Sequence, residues 1–246
     1  TPPTKYGPWE LIASRIAEGM VKLGHTVTLY ATGDSETTAR LKWVSPKPIM
    51  ENSGLEPKVY QYLHTASVFE DADQYDIIHN HYDAYPLVFS KLVKTPVVTT
   101  IHGFSSPQVI QIYKRYSNTH YVSISYADRK HAPDLSYIAN IYHGIPVHEY
   151  PYNGKPDNYF CFIGRISPDK GVHNAITLVK KLNANLKIAG LIASENKEYF
   201  EKEIKPHLNS KIQYVGLVDE EEKKALLKNA YGFLHLNTYP EGFGLT

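Results

Sequence analysis

Apolar residues along the chain follow two alternating rhythms. Short runs rich in β-branched and aromatic residues read as strands: "TVTLYA" (26–31), "YDIIHNH" (75–81), "PVVTTIHG" (96–103), "HYVSIS" (120–125) and "YIANIYHG" (137–144). A second series comes later in "YFCFIG" (159–164), "LKIAGL" (186–191), "IQYVG" (212–216) and "GFLHLN" (232–237). Stretches of helical period lie between them. In the first, which begins near Trp9, residues Ile12, Ile16, Met20 and Leu23 share one face and Gly24 ends the run. Strands alternating with helices predict an α/β fold of doubly wound parallel sheets, because parallel neighbours need crossover connections.

The two strand series are separated by "IPVHEYPYNGKPDN", whose three prolines and one glycine make it the most linker-like stretch of the chain. It predicts two Rossmann-like domains, 1–150 and 151–246. A doubly wound domain opens on a strand that feeds its first helix, yet residues 1–8, "TPPTKYGP", read as a loop. A first strand is therefore expected before Thr1. The other end stops at "YPEGFGLT", a carboxylate and two glycines that look like the start of a binding loop.

Composition narrows the partners. Hydrophobic residues at 42% and charged residues at 21% suit an ordinary globular core. A net charge of +1 with interleaved signs offers no basic stripe, so nucleic acid is not an expected partner. The single cysteine, Cys161, lies in an apolar run and fits a reducing, cytoplasmic compartment. No apolar run is long enough to span a membrane, which leaves only peripheral membrane contact open.

The sharpest chemical signal is "FIGRISPDKG" (162–171), where a buried strand ends in Gly164 and a helix is expected to start at Ser167, with Pro168 at its first position. Lys170 would then sit in the first turn, facing the positive end of the helix dipole, and a cation there calls for an anion. Arg165 stands at the strand's carboxyl edge, where open α/β sheets bind ligands. Its planar fork suits phosphate oxygens, and with Lys170 and the helix amides it could hold a diphosphate without a metal. Two exposed cations on a solvated loop are the alternative.

"PEGFGLT" places Glu241 after another strand, with Gly242 and Gly244 allowing close backbone approach and a carboxylate suited to sugar hydroxyls. His102 ends a strand in "TTIHG". "PPTKYGPWE" is a turn-rich loop before a helix, although Pro8 removes one amide from any anion cradle built there. "HNHYD" gives His79, His81 and Asp83 a spacing that could ligate zinc, but no further ligand comes directly after it. "EDAD" (70–73) ends a helical stretch and reads as an exposed acidic helix end, so no catalytic metal is expected.

In this order the pieces resemble the retaining glycosyltransferases of family four. The likeness is greatest to the subgroup that contains the avilamycin-pathway transferase, and it covers nearly the whole chain. It is carried by "PPTKYGPWELIASRIAEGMVKLGHTVTLYATGDSET", "YDIIHNHYD", "PVVTTIHG", "VSIS", "IYHGI", "FIGRISPDKG" and "YVGLVDEEEKKALL".

The resemblance implies the GT-B architecture: two Rossmann-like domains facing a cleft, an amino-terminal acceptor side and a carboxyl-terminal nucleotide-sugar donor side. It also implies an enzyme that moves a sugar from a nucleoside-diphosphate sugar to an acceptor hydroxyl, with no cofactor and no metal. By the same resemblance Arg165 and Lys170 match the pair that holds the donor diphosphate. Glu241 matches the first glutamate of the family's E-x7-E motif, and Gly242, Phe243, Gly244, Leu245 and Thr246 lie in the segment that approaches the sugar and phosphate. His102 matches the histidine near the transferred sugar. Gly7 matches the first loop, where Pro8 replaces a usual second glycine. The second glutamate would fall after Thr246, so a continuation of on the order of 100 residues is expected. A catalytically silent nucleotide- or sugar-binding module of the same fold is the alternative.

Overall fold

The computed structural model describes the chain except for residues 4–6, 50–53, 55, 118 and 246. It divides into two compact units, the first made of Thr1–Pro3 and Gly7–His143 and the second running from Gly144.

In the first unit, helix α1 (Pro8–Lys22) leads into β1 (Thr28–Tyr30), which pairs in parallel with β2 (Arg40–Lys42). Pro8 opens α1 where its missing N–H has no intrahelical acceptor to lose. The helix buries Ile12 and Ala17, whereas Met20 and Leu23 are exposed, so the apolar face expected along all four turns is used only in the first part. β2 has no counterpart among the expected strands. Three residues, two of them basic, make no apolar run.

A four-stranded sheet comes next, β3 (Ile78–Asn80), β4 (Val97–Ile101), β5 (His120–Ser123) and β6 (Tyr137–Asn140), all parallel and in that spatial order. Helices α2 (Pro57–Glu70) and α3 (Ile110–Arg115) belong to the same unit. The acidic end of α2 is engaged rather than free. Asp71 accepts hydrogen bonds from Lys42 Nζ and Tyr30 Oη, both at 2.5 Å, which tie the end of α2 to β1 and β2. The Lys42 ammonium beside it holds the Asp71 carboxyl below the usual range.

The second unit builds another parallel sheet from β7 (Phe160–Ile163), β8 (Leu186–Ala189), β9 (Ile212–Gly216) and β10 (Gly232–Phe233), in the order β10-β7-β8-β9. Helix α4 (Val172–Lys181) buries Val172, Ala175, Ile176 and Val179, an i, i+3, i+4, i+7 face, against Phe162, Leu186 and Ile188 of the sheet. Helix α5 (Lys197–Tyr199) continues as a π turn over Phe200–Ile204, and Ile204 joins the same core. Helix α6 (Glu220–Asn229) starts on a reciprocal cap, Asp219 to the Glu222 amide and Glu222 to the Asp219 amide. Cys161 is buried on β7, and burial pushes its thiol up to about 11. Among the described residues no helix is long and apolar enough to cross a membrane.

Candidate active site

Strand order in the second unit fixes where its loops meet. From β7 the chain steps outward through β8 and β9, then returns to the opposite side of β7 as β10. Direction reverses between β7 and β10, which is where open α/β sheets form a crevice at their carboxyl ends. The loops leaving these two strands are tied together, with the Thr238 amide donating to the Asp169 carbonyl at 2.9 Å.

The β7 loop departs from the expected helix start. Ser167 and Pro168 open only a single 3-10 turn, Pro168–Lys170, and the Ser167 hydroxyl caps nothing; its Oγ is buried without a hydrogen-bond partner. The residue that caps the start of α4 is Gly171, in the left-handed region at φ 74°, where a Cβ would lie 1.9 Å from the Leu236 carbonyl oxygen. Only glycine lets the chain turn there against the β10 loop. Lys170 therefore precedes the helix instead of lying in its first turn, and its anion comes from within the chain.

That anion is Glu241. Lys170 Nζ donates to the Glu241 carboxylate and lies 3.3 Å from Tyr239 Oη. Burial disfavours the Lys170 ammonium, but Glu241 and Tyr239 outweigh it, and its pKa is raised. Asn237 also donates to Glu241, and His235 Nε2 lies 3.4 Å away. Gly164, Lys170, His235, Asn237 and Glu241 line one hollow.

Arg165, about 40% exposed, has its guanidinium 3.7 Å from Asp169. The Gly164 amide donates to the Ala189 carbonyl at 3.1 Å, so Gly164 offers space rather than a donor. Gly244 packs so closely on the His235 ring that a Cβ would lie 3.3 Å from it. Gly242, Phe243 and Leu245 are part-buried in the same loop, and Thr246 lies outside the described residues. Sequence reasoning missed His235 and Asn237, because "GFLHLN", with its apolar Phe233, Leu234 and Leu236, reads as one strand through Asn237. The strand ends at Phe233, and residues 234–237 already belong to the site loop.

In the first unit His102 immediately follows β4, His81 immediately follows β3, and His143 lies just beyond β6. Parallel strands bring these three positions to one sheet edge. His81 Nδ1 is 2.9 Å from His102 Nε2, and His102 Nδ1 is 3.4 Å from His143 Nε2. Trp9, in the first turn of α1, stacks on the His102 ring at 5.6 Å. Gly7, the residue before α1, is thereby near the same corner. A Cβ on Gly7 would lie 2.9 Å from the Pro3 ring.

The zinc spacing read in "HNHYD" is used otherwise. His79 Nε2 bonds Thr100 Oγ1 at 2.8 Å, and Asp83 accepts from Tyr113 Oη at 2.7 Å. Among the described residues no group of three His, Cys, Asp or Glu side chains is placed to hold a metal ion.

Burial, with the neighbouring His143 and His79 adding to it, pushes His102 down to about 3, and it pushes His81 and His143 down as well. These imidazoles are neutral in the native protein and take up protons on unfolding below about pH 6.5. The unfolded state then binds more protons, so stability falls as pH drops from about 6.5 toward about 3. His102 alone is expected to cost about 2 kcal/mol between about pH 7 and about pH 5. Urea unfolding at the two pH values checks this, and a His102→Gln variant whose pH loss equals that of the parent would refute it.

A family model described as Glycosyltransferase Family 4 matches residues 10–157, more than half of the chain. The chain belongs to that family. A second model, Glycosyl transferases group 1, matches residues 151–246. Among solved structures, this family member is similar to AviGT4, a glycosyltransferase involved in avilamycin A biosynthesis, with a TM-score of 0.67 and 22% identity. That match covers 98% of this chain and 66% of AviGT4, so the chain spans just under two thirds of its length. A UDP-N-acetylglucosamine 2-epimerase from Rickettsia bellii superposes with a TM-score of 0.56 at 12% identity, covering 93% of this chain and 71% of that one. The catalytic domain of starch synthase IV from Arabidopsis thaliana, bound to ADP and acarbose, gives 0.52 at 14% identity, covering 76% and 57%. These likenesses show the GT-B fold. A comparison with curated proteins finds no match.

Proposed function

We propose that this family 4 chain carries the donor-binding chemistry of a retaining glycosyltransferase, one that moves a sugar from a nucleoside-diphosphate sugar to an acceptor hydroxyl. The observation that supports it is the gathering of Arg165, Lys170 and Glu241 where strand order reverses in the second unit. Negative charge grows on the departing diphosphate during transfer. Arg165, Lys170 and the Val172 and His173 amides at the start of α4, which lack intrahelical acceptors, are assigned to stabilise it. Those cations supply the charge that a divalent metal would otherwise bring, so the reaction is proposed to be metal-independent and to need no cofactor. Glu241, with Asn237 and His235 around it, is assigned to the sugar hydroxyls. His102, in the first unit, is assigned to the transferred sugar. A cytoplasmic location goes with this proposal, because nucleotide sugars are the assumed donor.

Thermal-shift measurement with a panel of nucleoside diphosphates and their sugar conjugates tests the assignment. A ligand at about 100 times its Kd is expected to stabilise the native state by about 2.7 kcal/mol. One nucleotide series is expected to raise Tm in the parent and not in Arg165→Ala. If no nucleotide moves Tm, the donor assignment falls and the silent binding module loses its nucleotide as well.

A further inference from the structure

The three-histidine row in the first unit has a direction. A neutral imidazole carries one N–H, so the proton order in one ring sets the order in the next. In one arrangement His81 Nδ1–H donates to His102 Nε2, and His102 Nδ1–H donates to His143 Nε2, across the observed 2.9 and 3.4 Å contacts. In the reverse arrangement His102 Nε2–H donates to His81 Nδ1, and His81 must keep its own proton on Nε2. That nitrogen is fully buried and has no hydrogen-bond partner. His79, whose ring centre is 4.1 Å from that of His81, has its Nε2 on Thr100 and offers His81 no acceptor. A buried N–H without an acceptor is a rarer and costlier orphan than a bare acceptor nitrogen.

We infer that His81 is a positioning residue that fixes His102 in the Nδ1–H tautomer, leaving Nδ1–H as the one donor His102 has for a sugar hydroxyl. Trp9, stacked on the ring, fixes its plane. The 3.4 Å contact to His143 is long for a hydrogen bond, so His143 holds the donor loosely, and a hydroxyl oxygen at ordinary distance replaces it. His81 acts through His102 and does not itself touch the sugar. The inference rests on the sugar-facing role proposed above for His102.

Nitrogen-15 NMR of the histidine-labelled, ligand-free chain tests it, because long-range proton–nitrogen correlations distinguish the two tautomers. The parent is expected to show His102 with a protonated Nδ1 and a bare Nε2. His81→Leu is expected to release the lock, so that both His102 nitrogens move toward averaged positions. His81→Asn, whose amide can donate in place of Nδ1–H, is expected to restore the parent pattern, and His143→Leu to leave it in place. In a transfer assay His81→Leu is expected to lower kcat roughly tenfold with little change in donor KM, and His81→Asn to recover most of that loss. A protonated His102 Nε2 in the parent spectrum overturns the inference, whether or not any variant folds. A locked parent spectrum in a chain that no nucleotide stabilises supports the tautomer lock and removes the sugar role.

Discussion

Gly190→Ala is expected to unfold the second unit. Gly190 directly follows β8 at φ 153°, and a Cβ built there falls 1.7 Å from the carbonyl oxygen of Gly164, which directly follows β7 and is held by its amide on the Ala189 carbonyl. No rotamer relieves that overlap, and the conformation is itself unfavourable for a residue with a side chain. Either β7 and β8 separate or the loop carrying Arg165 moves. The cost is expected to be on the order of 5 kcal/mol or more, comparable with the whole stability of a domain. Both tryptophans, Trp9 and Trp43, lie in the first unit. Far-UV circular dichroism should therefore lose the second unit's signal while the tryptophan fluorescence transition persists. An unchanged dichroism transition would contradict the close approach of β7 and β8. Gly19→Ala in α1, where a Cβ meets nothing within 4 Å, is the control, expected to stabilise by about 0.8–1 kcal/mol.

Arg165→Ala is expected to do the opposite: leave the fold and remove the chemistry. The side chain is well exposed, and its ion-pair partner is Asp169 at 3.7 Å, a surface pair worth at most about 1 kcal/mol. Tm should move by no more than a few degrees. If Arg165 supplies a donor to the departing diphosphate, its loss should lower transfer by about 10²–10³-fold, the range seen when one transition-state hydrogen-bond donor is removed. Arg165→Lys keeps the charge but loses the two-pronged geometry, so it should recover only part of the rate. Parent-like turnover in Arg165→Ala would end the diphosphate assignment.

The parallel α/β plan was legible in the sequence because buried parallel strands are nearly continuous apolar runs. "PVVTTIHG", "YFCFIG" and "LKIAGL" stand out as β4, β7 and β8 without any tertiary information. β2 did not stand out, since Arg40–Lys42 has too few apolar positions to register a period. At the site, Arg165, Lys170 and Glu241 could be named from their places after strands. Their partners could not, because the Lys170–Glu241 contact joins residues that only the return of β10 to the side of β7 brings together. The Ser-Pro pair opens only one 3-10 turn, with no cap from the Ser167 hydroxyl, and Gly171, the residue just before α4, gives no side-chain cap to read. The His81–His102–His143 row was hidden for a similar reason. Its members are far apart in sequence and are aligned by strand register alone.

The two ion pairs at the β7 and β10 loops also bear on how fast a ligand arrives. Arg165 faces Asp169 and Lys170 faces Glu241, so each cation stands beside its own carboxylate. Seen from a Debye length away, these four groups sum to nearly zero charge and cast little attractive field on an approaching anion. Encounter with a diphosphate is then governed by diffusion and orientation, at the ordinary rate of about 10⁵–10⁷ M⁻¹s⁻¹ and with weak dependence on ionic strength. The attraction becomes large only at contact, once the ligand's oxygens take the place of the protein's own carboxylates, so added salt should act on the dissociation rate far more than on the association rate.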